Sequence, residues 1–379
     1  MADGRVRHDH VKRTLAVAIA AATVVALAQP ADASPGWWRT PRCGTVTGDG
    51  AVTFTHDDGV TLAPTTGQTR PVQYTYGLTA LDTPNTLLAT VNGTLERSTD
   101  AGCTWNPIGE LASRWFMRLT AAPHGTAYAW QDNGTALQRI HGDRIETLAA
   151  PPGIDGVSGL GVDRWNADHV RLGDGDGQLW DSRDGGRTWR ALGRPAFGDA
   201  FVYRTAFDPN DLDHVVTGWL NHGGVVSTDG GRHWRASTGL AGDGTGPVNL
   251  FSVTVSPAAG FVVYAEGLDM DEYDTGSPTE GRHVYVSIDG GRRFRSIAPN
   301  NVDDVRLING NLLAPHPTNP FVLYFEFGMS YGGYGTDLYR YDLLRNRLTR
   351  THNDNDGFSS IAYNPADPRV MYVGITDEP

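Results

Sequence analysis

Short apolar stretches separated by turns recur along this chain with unusual regularity. An apolar stretch, a turn containing Pro or Asp, and a second apolar stretch occur seven times, at 78–91, 119–131, 159–174, 204–219, 252–267, 311–327 and 360–375. The turns centre near residues 82, 123, 163, 208, 256, 316 and 364, so the repeat is 40 to 60 residues long. A repeat of that length, read as two strands and a turn, cannot bury its apolar faces alone and must stack against copies of itself. Each copy is expected to form the two inner strands of a four-stranded blade.

A second pattern supplies the outer strands. The octapeptide Ser-x-Asp-x-Gly-x-x-aromatic occurs at 98–105, 182–189, 227–234 and 287–294, and three copies share the core Asp-Gly-Gly-Arg. Its chemistry is that of a tight hairpin. Gly takes the positive φ that the turn requires, and the Ser and Asp oxygens accept backbone N–H groups that would otherwise be unpaired. The aromatic residue is expected to begin the next strand and pack beneath its own turn. The seventh inner hairpin has no octapeptide after it, but 51–55 and 59–62 alternate around Asp57-Asp58. Pairing of these N-terminal strands with 360–375 would close the ring and remove its exposed edges. The predicted fold is therefore all-β: one seven-bladed propeller over residues 34–379, with four-stranded blades, the last closed by N-terminal strands.

Residues 1–33 read as a signal peptide instead. Arg5, Arg7, Lys12 and Arg13 precede an apolar run at 15–27, and Ala31-Asp32-Ala33 gives a small-x-small cleavage pattern before Ser34. The run is short for a membrane span, so a secreted, extracellular product with no membrane association is expected. In that compartment Cys43 and Cys103, the only cysteines, read as a disulfide. The formal net charge is −12, and loss of the basic leader makes the chain more acidic still. Such a surface gives no electrostatic reason to bind nucleic acid. Lys12 is the only lysine, which leaves the secreted chain without side-chain amines.

The octapeptide is the Asp-box, or BNR, repeat. The chain from about 43 to 379 resembles the Asp-box propeller superfamily, which includes sialidases, xyloglucan-cleaving hydrolases, sortilin-type receptors and photosystem assembly factors. That resemblance implies a propeller whose boxes lie at the rim, away from the ligand-binding face, and implies little about activity. The Arg-Ile-Pro segment of sialidases is matched only by Arg39-Thr40-Pro41, and neither His-Glu-x-x-His nor Gly-x-Ser-x-Gly occurs. In its overall profile of export, one propeller and one cysteine pair, the chain is similar to the secreted dispase autolysis-inducing family. This second resemblance implies a non-enzymatic binder of a secreted neutral metalloprotease that also serves transglutaminase as a glutamine donor; a monomer is expected, and a glycan-cleaving hydrolase and a passive extracellular matrix or surface protein are the alternatives.

Blade geometry indicates where a partner would bind. Loops between second and third strands, and loops between blades, open on the face opposite the octapeptides. Two of them are long. The first, 268–282, carries Asp269, Asp271, Glu272, Tyr273 and Asp274, and the second, 328–337, carries Tyr331 and Tyr334 among glycines. Tyr offers contact area at low entropy cost, so these are the candidate binding residues. The inter-blade segments 115–116, 201–203, 249–251 and 356–358 add aromatic residues that are expected to pack between blades. Glu266 and Glu326, at matching ends of second strands, are the alternative catalytic pair that a glycan hydrolase would need. Asp174–Gly177 and Asn353–Asp356 supply hard oxygens, but neither continues into a twelve-residue calcium loop. No metal site or cofactor is expected, with calcium the one ion considered. Gln68 and Gln73, in a polar Thr/Gly stretch, are candidate crosslinking positions together with Gln178.

Overall fold

The computed structural model describes residues 38–69, 74–198, 200–240, 247–299, 312–327, 336–353 and 357–376. These form seven antiparallel sheets, six with four strands and one with three, each built from consecutive strands except the last. In the last sheet Val52–Thr55 pairs with Met371–Thr376, which pairs in turn with Gly357–Tyr363. The ring is thus closed by an N-terminal strand on C-terminal ones, as expected. Gly59–Leu62, expected as a further strand, is a turn and bend instead.

The core is a set of seams rather than one mass. Leu88 and Leu95 of the first blade pack with Met117 and Ile140 of the second. Tyr128 and Trp130 of the second meet Leu160 and Leu172 of the third. Equivalent clusters join the fifth blade to the sixth, the sixth to the seventh, and the seventh to the first. A second strand is covered on both faces, so Leu87–Val91 and Met371–Thr376 are buried throughout. That double burial explains why these segments read as continuous apolar runs rather than alternating ones.

The four octapeptides form one repeated turn. Ser98 Oγ donates to Asp100 Oδ1 at 2.8 Å and accepts from Gly102 N at 2.9 Å, while Thr104 N donates to Asp100 Oδ1 at 2.8 Å. The same three bonds recur from Ser182, Ser227 and Ser287. A fifth copy, absent from the sequence pattern, lies in the closing blade. Thr55 Oγ1 donates to Asp57 Oδ1 at 2.8 Å and accepts from Gly59 N at 3.0 Å, and Thr61 N donates to Asp57 at 2.9 Å. A Thr hydroxyl does what Ser does elsewhere, which is why 59–62 turns where a strand was expected.

Closure has further supports. The Cys43–Cys103 disulfide, 60 residues apart, ties the N-terminal segment to the first octapeptide turn. Backbone bonds flank it, from Thr47 N to Cys103 O and from Trp105 N to Thr47 O, each 2.8 Å. Asn364 Nδ2 donates to Arg39 O at 2.8 Å, and Tyr372 Oη donates to Ala101 O at 3.0 Å. No helix among the described residues is long and apolar enough to cross a membrane.

Candidate functional site

Octapeptide turns and inner-hairpin turns share one face of the propeller. Gly185 N donates to Asp168 O at 2.9 Å and Gly230 N to Asp213 O at 3.0 Å, each linking the two turns of neighbouring strand pairs. The loops between second and third strands, and those between blades, therefore lie at the other end. The acidic loop of the fifth blade contains a single helical turn, Met270–Asp274, capped by Asp269, whose carboxylate accepts from Asp271 N and Glu272 N. Asp269 is buried. Glu272 Oε2 meets His283 Nε2 at 2.8 Å and also accepts from the Thr279 hydroxyl. Asp269 and Glu272 thus hold the loop's shape, whereas Asp271, Tyr273 and Asp274 are exposed. Tyr331 and Tyr334 lie outside the described residues.

Aromatic side chains form two rows on this face. Tyr74 and Tyr76 stack at 5.3 Å, Tyr74 meets Trp115 at 5.7 Å, and Tyr76 meets Phe116 at 5.1 Å. Phe201, Tyr203 and Phe251 follow one another at 5.3 and 5.0 Å. The expectation that these inter-blade aromatics pack inside holds for Phe358 but fails for Trp115, Phe116 and Phe201, which are 45%, 49% and 40% exposed. Phe116 also has φ +56°, a conformation that a bulky side chain adopts only when its surroundings impose it.

Between the rows three charged residues converge that sequence reasoning did not connect. Arg118 stands on the inner strand of the second blade, Asp132 follows the second strand of that blade, and Arg204 stands on the inner strand of the fourth blade. Arg118 Nε and Arg204 Nη2 both donate to Asp132 Oδ2, at 2.7 and 2.6 Å. The third blade lets them meet because its inner strand carries Gly159 and Gly161. A Cβ at Gly159 would stand 1.9 Å from Thr205 O, and one at Gly161 2.6 Å from Phe207 Cβ. The inner strands of the third and fourth blades therefore approach closely at these two positions. Burial and the Arg118 charge push the Arg204 guanidinium below its usual range. Burial alone would raise Asp132, but the two guanidiniums outweigh it and hold the carboxylate low.

The remaining candidates are placed as follows. Glu266 is buried on its strand, opposite Ser252 and Val284. Glu326 pairs with Leu338 through its backbone, and its side chain lies outside the described residues, as does Gln73. Gln68 is exposed. Gln178 is half-buried, and its amide donates to Leu179 O and Leu192 O at 2.8 and 2.7 Å. Asp174 uses its oxygens on Asp176 N, Gln178 N and Trp180 Nε1. No group of three or more His, Cys, Asp or Glu side chains that could hold a metal occurs among the described residues. On the octapeptide face, clefts of about 330 and 230 Å³ both border Trp165, over which Arg164 stacks at 4.7 Å.

Fold and face together define a single seven-bladed β-propeller that presents an acidic loop, two aromatic rows and a half-buried arginine pair at one end. The chain belongs to the dispase autolysis-inducing protein family: it is 52% identical over 351 residues to the "Dispase autolysis-inducing protein" of Streptomyces mobaraensis, covering 92% of each chain. No protein-family model matches the chain. Among solved structures it is similar to a GH74 enzyme of Niastella koreensis, with a TM-score of 0.59 and 16% identity, covering 80% of this chain and 51% of that one. It is also similar to YCF48 bound to D1 peptide, with a TM-score of 0.55 and 13% identity, covering 82% and 96%. Likeness at such identities is a likeness of fold.

Proposed function

We propose that this protein is exported, performs no chemistry itself, and binds a secreted neutral metalloprotease so as to promote the protease's self-digestion. The observation that carries this reading is the 52% identity, over nearly the full length of both chains, to a protein named for inducing dispase autolysis. A face with exposed Tyr, Trp and Phe beside a small capped loop suits recognition of a protein surface. Glycan cleavage would need two carboxylates facing a groove, and Glu266 is buried in its sheet. Export is supported by the disulfide. For glutamine donation Gln68 is the favoured position, because its side chain is exposed while the Gln178 amide is held by two carbonyls.

The test is to incubate the protein with a thermolysin-like protease, and with the same protease inhibited, and to follow intact protease on gels. A dose-dependent loss of active protease only, weakened when Asp271, Tyr273 and Asp274 are all replaced by Ser, is the expected result. Protease that stays intact at molar excess overturns the proposal. Transglutaminase labelling with a fluorescent amine tests the second role: Gln68→Asn should reduce labelling, and an effect of Gln178→Asn instead would reverse the assignment.

A further inference from the structure

We infer that Arg118 and Arg204 form a binding site for a carboxylate supplied by a ligand. Two guanidiniums converge on a single carboxylate oxygen, and their side chains are only 21% and 12% exposed, with Asp132 at 9%. Among the described residues neither arginine pairs with a second acidic group. The cluster therefore holds one excess positive charge in a poorly solvated place, within a protein that is otherwise strongly acidic. Excess charge of that kind is costly to bury without a counterion.

The geometry also says which anion fits. Each guanidinium has five N–H donors in a planar fork and makes one bond to Asp132. A planar monoanion with two oxygens matches both the open donors and the single excess charge. The surroundings are aromatic: Arg204 lies over the Trp130 ring at 5.9 Å, and Tyr203 precedes it in the row with Phe201 and Phe251. The backbone of strained, exposed Phe116 accepts from Asp132 N at 2.9 Å. Such walls favour an organic acid with an apolar neighbour over a fully hydrated phosphate. A chain-terminal carboxylate and an acidic side chain supply the same chemistry. The site is argued from its own charges, so it stands or falls independently of the protease.

The test uses small probes with the whole protein, titrated by saturation-transfer NMR. N-acetylphenylalanine carries an α-carboxylate beside a ring, its amide carries the ring alone, and N-acetylglutamic α-amide carries a side-chain carboxylate. The acid should bind about tenfold or more tightly than its amide, and Arg118→Gln should remove that advantage. Asp132→Asn, nearly isosteric, should tighten acid binding by raising the site's positive charge, which a merely structural ion pair would not do. The rank of the two acids identifies the source of the carboxylate. Equal binding of acid and amide, no binding of either acid, or unchanged affinity in a folded Arg118→Gln variant would overturn the inference. Arg118 is the more exposed arginine, so its variant keeps the test decisive if an Arg204 variant does not fold.

Discussion

Loss of the Cys43–Cys103 bridge offers a quantitative probe of how the ring is held shut. The bridge closes a loop of 60 residues, and the chain-entropy model assigns such a loop about 4 kcal/mol at room temperature. The unit Pro35–Pro379 should unfold with an entropy of about 0.7 kcal/mol per kelvin at its midpoint, so the double Cys→Ala variant should melt about 6 °C lower. The perturbation acts on closure because the bridged segment leads directly into Val52–Thr55, the strand covering Met371–Thr376. Calorimetry of wild type and variant is the assay, with one transition expected in each. A shift below about 2 °C would refute the reasoning. It would mean that the unfolded chain is already compact enough for the cross-link to remove little of its entropy. Two separated transitions would show instead that the closing blade opens by itself.

Two further expectations concern packing and pH. Gly159→Ala forces a Cβ against the Thr205 carbonyl and should destabilise the fold by about 2 kcal/mol or more; an unchanged urea midpoint would contradict the close approach of blades three and four. In acid, Asp184 and Asp229 of the second and third octapeptides should contribute to the loss of stability. Hydrogen bonds from His233 hold Asp229 down to about 2, and bonds from Thr188 hold Asp184 lower still. Both lie below the unfolded value near 3.9, so their contribution is complete above about pH 4 and is lost as pH falls toward 2. His214 has the opposite sign. Burial opposes its charge, but Asp208 and the Gly290 carbonyl win and raise its pKa. Its contribution is therefore full below the ordinary His value and lost as pH rises through the raised one. Melting temperatures should fall modestly below about pH 4, and a flat profile there would rule out this role for Asp184 and Asp229.

What could be read from the sequence was what local chemistry decides. Ser, Asp and Gly at fixed offsets build the octapeptide turn from bonds spanning at most four residues, so the motif announces its own conformation. The inner hairpins were legible because strands buried on both faces must be apolar. Export context and an even cysteine count pointed to the disulfide. The Thr55 turn could have been found by allowing either hydroxyl at the first position, since the bond needs only an oxygen on Cβ.

Other features depended on which blades come to lie side by side. An aromatic residue before an inner strand serves equally as core or as surface, and only the packed ring leaves Trp115, Phe116 and Phe201 in solvent. Arg118, Asp132 and Arg204 belong to two blades separated by a third, and no spacing rule joins them. Their meeting requires the missing side chains of Gly159 and Gly161, whose effect exists only once Thr205 and Phe207 arrive against them. Sequence by itself determined the repeat and its turns, because those follow from bonds between near neighbours and from the burial of alternate or continuous apolar positions; closure of the ring was legible because the last repeat lacks outer strands and the N-terminal segment supplies an alternating one. The tertiary structure alone decided where charge accumulates and which rings stay exposed, because both depend on distances between residues that the chain separates by whole blades.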